Sequence, residues 1–187
     1  MINAIIVTLA SELSFLIGIG IGSFISIFPA LLVTAVRGSG MLSSMRAFLQ
    51  GAITGIVAGA VGIWVTVTLG RSLSVPDSWL FWIAIIPPII GEFGHFLNRF
   101  SLRHRGKPDT GLFVPLGRLH MVAWEPFRKS INTLSLEVFR ENDPKDIPFL
   151  SYQKTNWFIG RVILGFLFGV VISMWWLTSV LHISAFQ

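Results

Sequence analysis

Residues 13–36 read LSFLIGIGIGSFISIFPALLVTAV, an apolar run without a charged side chain. A helix needs roughly 20 such residues to cross the hydrocarbon core of a bilayer, which is about 30 Å thick. Three other stretches, Ala47–Leu69, Trp79–Leu97 and Trp157–Leu181, are similarly long and contain few ionisable side chains. The sequence therefore predicts an all-α integral membrane protein with four transmembrane helices, which form a single membrane domain over residues 1–187.

The Lys and Arg residues predict how these helices are oriented. Of the 14 in the chain, all except Arg71 lie in or beside the first and third connections between the apolar stretches. Basic residues close to the ends of spans stay in the cytoplasm. We therefore expect both termini outside and residues 98–156 as a cytoplasmic loop. Because the first apolar run resembles a retained span rather than a signal peptide, the expected location is the cytoplasmic (inner) membrane of a bacterium.

The composition excludes several classes of function. The chain has no Cys, so disulfides and thiolate chemistry are excluded. The net charge of +5 follows from the positive-inside pattern and gives no reason to expect a nucleic-acid partner. The nucleophile, zinc and phosphate-binding motifs GxSxG, HExxH, GxxxxGK[ST] and GxGxxG do not occur. We therefore expect no cofactor and no metal site, and we do not expect an enzyme.

Small residues recur at intervals of four and predict close helix packing, because lipid gives helices little hydrophobic reason to associate. Three predicted spans carry such rows. The rows are Ser14, Gly18, Gly22 and Ser26; then Gly51, Gly55 and Gly59; then Gly165, Gly169 and Ser173. Two rows are enough for packing within the chain, which would leave one for a second copy or a partner. Alternatively, all three are used inside the four-helix bundle.

The long loop contains two candidate interaction surfaces. Its first part is basic and should contact anionic lipid headgroups through Arg99, Arg103, Arg105 and Lys107. Residues 126–141 have the pattern of an amphipathic helix, and Pro126 is suitable for its first turn. The apolar stripe of this helix consists of Phe127, Ile131, Leu134 and Val138. That stripe is expected to bind either the membrane surface or a protein partner.

Few ionisable residues lie within the predicted spans, and they are candidates for function because burying a charge in lipid is costly. Glu92 and His95 are three residues apart, so they share one face of the third helix, and Glu12 precedes the charge-free part of the first. They are candidates for an ion or proton path. Alternatively, Glu92 and His95 reach the inner interface or pair with Arg99 or Arg161, and Glu12 lies at the outer interface.

The two prolines of the third span and the remaining histidines of the chain are not expected to form a site. Pro87 and Pro88 should break or kink the third helix. His104, His120 and His182 show no ligand spacing and are expected to be solvated or interfacial.

Three hypotheses of function follow. The first is a non-catalytic membrane subunit, anchor or sensor that oligomerises and presents its cytoplasmic loop to a protein partner. The second is a small oligomeric ion or proton channel, or a transporter, that uses Glu92, His95 and Glu12. The third is a membrane-embedded enzyme acting on lipid or phosphate groups. The sequence favours the first, because it contains no assembled catalytic motif.

Overall fold

The chain folds into helices in the computed structural model, which describes residues 1–29, 32, 40–105, 115–125 and 147–183. Within these ranges, side chains are not described at 40–44, 47, 96, 99–105 and 147–162. The helices are α1 (Ile2–Ile25), α2 (Gly40–Ser72), α3 (Asp77–Arg105), α4 (115–125) and α5 (Ile147–Ser179). No strand occurs in the described part of the chain, as the sequence predicts.

Among the described residues, two helical segments are long and apolar enough to cross a membrane, Ile2–Pro29 and Phe48–Ser72. The helix bounds differ from those of the four predicted spans. α1 begins eleven residues before Leu13, and α3 continues past Leu97 to Arg105. α5 begins at Ile147 rather than Trp157. Apolar windows locate the part of a helix that is hydrophobic, whereas a helix continues into polar sequence until a cap or a proline ends it.

α1 and α2 are antiparallel and pack backbone to backbone. A Cβ atom at Gly18 would lie 2.6 Å from Cα of Ala58, and one at Gly22 would lie 2.8 Å from Cα of Thr54. Residue numbers therefore rise along α1 as they fall along α2. Only glycine permits this approach, which brings many atoms of the two helices into van der Waals contact.

α2 and α5 are parallel and pack just as closely. A Cβ atom at Gly169 would collide with backbone atoms of Ala52, Gly55 and Ile56, and Gly165 meets the backbone of Phe48 in the same way. The third row of small residues therefore contacts α2 within the chain. This corrects the expectation that one row stays open for a second copy. The glycine seam, as we call these contacts, comprises Gly18, Gly22, Gly55, Gly59, Gly165 and Gly169.

The other small residues of these rows are also placed inside the bundle. Gly51 and Ser26 are buried, and Ser14 is half-buried. The Ser26 hydroxyl donates a hydrogen bond to the carbonyl of Ser23. At Ser26 the first helix is interrupted by a turn, four residues after Gly22 and three before Pro29. Pro29 explains that turn, because it has no N–H for the carbonyl of Ile25 and its ring clashes there.

α3 runs parallel to α1 and remains helical through Pro87 and Pro88, so of the predicted break or kink the break does not occur. Pro87 leaves the carbonyl of Ile83 without its helical donor. The hydroxyl of Ser11, on α1, approaches that carbonyl at 3.3 Å and donates to it. A side chain from the neighbouring helix thus compensates for the proline, which is how proline-containing helices are tolerated in membrane proteins.

α4 is a short helix bounded by two prolines. Pro115 is its first residue, where a missing N–H costs nothing, and Pro126 follows its last described residue. α4 does not lie outside the bundle, although it belongs to the predicted loop 98–156. Ala123 and Trp124 pack against a buried core formed by Phe15, Leu16, Ile19 and Ala58.

Candidate functional site: a buried network of carboxylates and histidines

Glu12 and Glu92 approach one another in the middle of their helices, with an imidazole between them. Glu12 lies ten residues along α1, and Glu92 lies fifteen residues along α3. His120 of α4 occupies the space between the two carboxylates. Its Nδ1 is 2.8 Å from Oε1 of Glu92, and its Nε2 contacts Oε1 of Glu12. Three helices that are far apart in sequence therefore meet at a single imidazole ring.

Two further side chains hold Glu92 in place. The indole N–H of Trp124 donates to Oε1 of Glu92 at 2.8 Å, the same oxygen that His120 contacts. Nδ1 of His95 lies 3.4 Å from the other oxygen, Oε2. His120 and Trp124 are four residues apart on α4, so one face of this helix supplies both partners of one carboxylate oxygen. We call Glu12, Glu92, His95, His120 and Trp124 the histidine network.

The network is deeply buried on the Glu12 side and more open on the Glu92 side. His120 is 0% exposed and Glu12 is 7% exposed, whereas the side chain of Glu92 is 28% exposed. Oε2 of Glu12 is buried and has no hydrogen-bond partner. Glu92 is therefore the more accessible of the two carboxylates.

Aromatic rings pack against one another and against His120 at the buried side of the network. The ring of Phe15 lies 6.0 Å from that of His120, between centroids, and 6.2 Å from that of Phe166. Trp124 packs edge-on against Phe166 at 5.1 Å. In such a low-dielectric surrounding, hydrogen bonds between ionised groups are stronger than in water.

Two glycines make room for α4 at the network. Gly91 faces the ring of His120, and a Cβ atom there would overlap Nε2, Cε1 and Cδ2. Gly117 lies against the backbone of Gly94 and His95, where a Cβ atom would lie 2.7 Å from the amide nitrogen of His95. The imidazole is therefore held at one edge by α3 itself, with its two nitrogens directed at the two carboxylates.

The protonation state of His120 follows from its neighbours. Burial alone would lower the pKa of this histidine, but hydrogen bonds and charge from Glu12 and Glu92 outweigh it and raise the pKa to about 9. The imidazolium form has an N–H at each nitrogen and can donate to both carboxylates at once. A neutral imidazole has only one N–H, so it can donate to only one of them.

The geometry is suited to moving protons rather than to holding a metal ion. Both ring nitrogens of His120 are occupied by carboxylates, so neither is free as a ligand. Among the described residues no group of three or more His, Asp or Glu side chains is placed to bind a metal ion. Carboxylates and imidazoles in direct contact can exchange protons within a hydrogen bond.

The structure brings together the three ionisable residues that the sequence singles out, Glu12, Glu92 and His95. Glu12 is buried rather than interfacial, and Glu92 contacts His120, His95 and Trp124. The alternative pairing with Arg99 or Arg161 stays a prediction, because their side chains are outside the description. The expectation for His120 was wrong, because this residue is the centre of the site. His182 is exposed, as expected of a solvated histidine.

Sequence reasoning missed His120 and Trp124 because α4 lies in a stretch that contains no long apolar run. A signal was nevertheless present. Residues 115–125 are bounded by two prolines, and Gly117, His120 and Trp124 follow one another at intervals of three and four. That spacing places all three on one face of a helix.

The structure does not describe the side chains of several residues that the sequence predicts to contact lipid or a protein partner. Phe127, Ile131, Leu134, Val138 and Lys107 lie outside the described residues. Arg99, Arg103 and Arg105 belong to the last turns of α3, and their side chains are also outside the description, as is that of Arg161. The anionic-lipid surface and the partner-binding stripe therefore remain predictions.

Comparisons with protein families, with characterised proteins and with solved structures found no match to this chain. The histidine network and the glycine seam are therefore the basis on which a function is proposed. Such an argument rests on the chemistry of the site and not on the fold.

Proposed function

We propose that the protein is an integral membrane protein that conducts protons through the histidine network. The observation that carries this proposal is the position of His120, fully buried between Glu12 and Glu92 in a bundle of apolar helices. Ionisable residues at such positions are costly and typically mark ion or proton pathways. Each helix of the site supplies groups that can bind and release a proton.

The outer surface of the bundle supports a membrane location. Large apolar side chains are exposed along α1 and α5, and soluble proteins rarely leave such continuous apolar areas in water. On α1 they are Ile2, Ile5, Ile6, Leu9, Leu13, Ile17, Ile21 and Phe24, and on α5 they are Ile163, Leu164, Leu167, Phe168, Val171 and Trp175.

Four spans with both termini outside form the topology that we propose. The alternating directions of α1, α2, α3 and α5 support it, since each helix would cross in the sense opposite to the one before. Trp64, Trp79 and Trp175 support it too, because they are exposed and lie towards the same end of the bundle, where tryptophan favours the headgroup level. The distribution of Lys and Arg then places residues 98–156 on the cytoplasmic side of the topology that we propose, in the inner membrane of a bacterium.

The proposed transfer uses hydrogen bonds that already exist in the network. A proton that reaches Glu92, directly or through His95, is donated to Nδ1 of His120 while the ring is in its neutral form, which is the minor form below the raised pKa of about 9. The proton on Nε2 then passes to the carboxylate of Glu12. One proton enters the imidazole and one leaves it, and Trp124 keeps Oε1 of Glu92 in line with Nδ1.

The anchor and enzyme hypotheses have less support than proton conduction. The anchor hypothesis depends on a spare row of small residues, but Gly165 and Gly169 contact α2. It also depends on the stripe from Phe127 to Val138, which is outside the described residues. The enzyme hypothesis lacks an assembled catalytic motif in the sequence.

Proton flux into liposomes tests the proposed function. The purified protein is reconstituted with a pH-sensitive dye inside, and a potassium gradient with valinomycin supplies a membrane potential. We expect flux above that of empty liposomes, and we expect Glu92→Gln to reduce it about 100-fold, the size of effect typical of a lost proton-transfer group. Asp77→Asn is the matched control, because Asp77 forms an exposed ion pair with Arg71 away from the network.

Two results would contradict proton conduction. Flux through the wild-type protein equal to that of empty liposomes would exclude it. Equal flux through Glu92→Gln and Asp77→Asn would show that protons pass elsewhere. Native mass spectrometry of the same preparation reports whether a second polypeptide or a second copy is bound, which tests the anchor hypothesis separately.

A further inference from the structure

The indole of Trp124 needs support from outside its own side chain in order to hold Glu92. Its N–H lies in the plane of the indole and donates to Oε1 of Glu92 at 2.8 Å. The torsion that turns this plane, χ2, has broad energy minima, so the side chain by itself does not fix the direction of the N–H. A neighbouring group must therefore select the plane in which this hydrogen bond forms.

Phe166 of α5 is a ring placed to select that plane. Its centroid lies 5.1 Å from that of Trp124, and the two planes meet at 69°, which is an edge-to-face contact. Aromatic pairs prefer this arrangement because the positive edge of one ring meets the negative face of the other. A turn of the indole about χ2 would lose this contact and would swing the N–H away from Glu92 at the same time.

The ring of Phe166 is itself held from two sides. Phe15 of α1 contacts it edge-on, with 6.2 Å between the centroids and an angle of 74° between the planes. The backbone of Phe166 lies against Gly55 of α2, where a Cβ atom would overlap the carbonyl oxygen of Phe166 and lie 3.2 Å from its Cα. Phe166 therefore has its backbone in the glycine seam and its ring against the histidine network.

We infer that Phe166 is a positioning residue of the proton path, which acts through Trp124 to keep Oε1 of Glu92 in line with Nδ1 of His120. This inference rests on the proposed function. Phe166 has no group that binds a proton, and it sets the geometry of groups that do. Proton transfer requires the two groups to be within hydrogen-bond reach, so a small loss of alignment at Oε1 slows it strongly.

Proton flux into liposomes with Phe166→Leu tests this inference. Leucine is apolar but offers Trp124 neither the edge nor the face of a ring, and we expect flux to fall about 10-fold. Phe168→Leu is the matched control, because Phe168 also lies on α5, is 51% exposed, and packs against the ring of Phe48. Its flux should stay within about two-fold of that of the wild-type protein.

A double variant distinguishes positioning from general packing. Trp124→Phe keeps an aromatic ring beside Phe166 but removes the N–H that holds Glu92. If Phe166 acts through that N–H, adding Phe166→Leu should reduce the flux of Trp124→Phe by less than about two-fold. A further loss of about 10-fold in the double variant would show that Phe166 acts by another route, and would overturn the inference.

Hydrogen exchange of the indole N–H of Trp124 gives a readout that does not depend on flux. Its NMR signal in detergent micelles is identified by its loss in Trp124→Phe. We expect this N–H to exchange with D₂O about 10-fold faster in Phe166→Leu and at the wild-type rate in Phe168→Leu, because a maintained hydrogen bond protects it. Equal exchange rates in the wild-type protein, Phe166→Leu and Phe168→Leu would overturn the inference.

The two measurements separate this inference from the proposed function. Wild-type flux in Phe166→Leu, together with the expected loss in Glu92→Gln, would overturn the role of Phe166 and leave proton conduction intact. Wild-type flux no greater than that of empty liposomes would contradict proton conduction. The exchange rates would then still decide whether Phe166 holds the indole of Trp124 on Glu92.

Discussion

The glycine seam and the histidine network hold the same bundle together by opposite means. α1 takes part in both: Gly18 and Gly22 lie against α2, whereas Glu12 contacts His120 of α4. In the glycine seam, contact is mostly between backbones, with the side chain of Ser173 at Gly59, and no ionisable group takes part. In the histidine network, contact depends on the buried Glu12 and His120 and on the partly exposed Glu92.

This difference supports the proposal that the histidine network serves the function and the glycine seam the stability of the bundle. Close packing of small residues stabilises helices in a bilayer at every pH, because it uses van der Waals contact alone. A buried ion pair contributes little net stability, since the cost of removing charges from water offsets their attraction. The glycine seam joins α1, α2 and α5 without any ionisable group, which favours a role in function for the buried charges of the histidine network.

The largest effect on stability is expected at the centre of the histidine network. His120→Leu leaves the carboxylates of Glu12 and Glu92 buried and without their common partner. Removing one member of a buried ion pair typically costs about 3–5 kcal/mol. We therefore expect the free energy of unfolding, measured by titration with SDS in mixed micelles, to fall by that amount.

His95→Leu is the corresponding variant at the edge of the network. His95 is partly exposed, and its Nδ1 is 3.4 Å from Glu92, a weak contact. A loss of under about 1 kcal/mol is expected, as for a partly solvated pair. If His120→Leu and His95→Leu lowered the free energy of unfolding equally, the central position of His120 would not explain its contribution to stability.

The stability of the histidine network should depend on pH, whereas that of the glycine seam should not. The pKa of His120 is raised from 6.5 to about 9. The contribution of protonated His120 to the free energy of unfolding is therefore fully present below pH 6.5 and is lost as the pH rises through about 9. The melting temperature of the wild-type protein in detergent should therefore decrease as the pH is raised from 6.5 to about 9. His120→Leu should show a smaller change over the same range, and an identical decrease in both proteins would contradict the assignment.

A smaller effect, and one independent of pH, is expected in the glycine seam. At Gly169 an added methyl group meets backbone atoms of α2, which cannot move aside as a side chain can. Gly169→Ala should reduce the free energy of unfolding by about 1–3 kcal/mol, the usual cost of overpacking. The measurement is again titration with SDS, at pH 6 and at pH 9.

Gly20→Ala is the matched control for this substitution. Gly20 lies on α1, and no atom lies within 4 Å of the position that a Cβ would take. The same methyl group should raise stability by about 0.5–1 kcal/mol, because alanine restricts the unfolded chain more than glycine does. A loss at Gly20 as large as the loss at Gly169 would mean that helix packing does not explain either result.

Part of this arrangement could be predicted from residues near one another in sequence. The rows of small residues correctly indicated which faces of α1, α2 and α5 pack closely, since a spacing of four defines a helix face. Glu92 and His95 were correctly placed on one face for the same reason. The consequences of Pro87 could not be predicted, because they depend on Ser11, which lies on another helix.

The sequence alone determined that the chain is helical, that its apolar segments are long enough to cross a membrane, and which of its few ionisable residues are costly to bury. These properties follow from composition and from a period of 3.6 residues. Only the tertiary structure decided what those residues contact. Glu12, Glu92 and His120 are separated by up to 108 residues along the chain, and α4 reaches them because Gly91 and Gly117 leave space for it. Contacts at such distances depend on the packing of whole helices, which no local pattern of residues encodes.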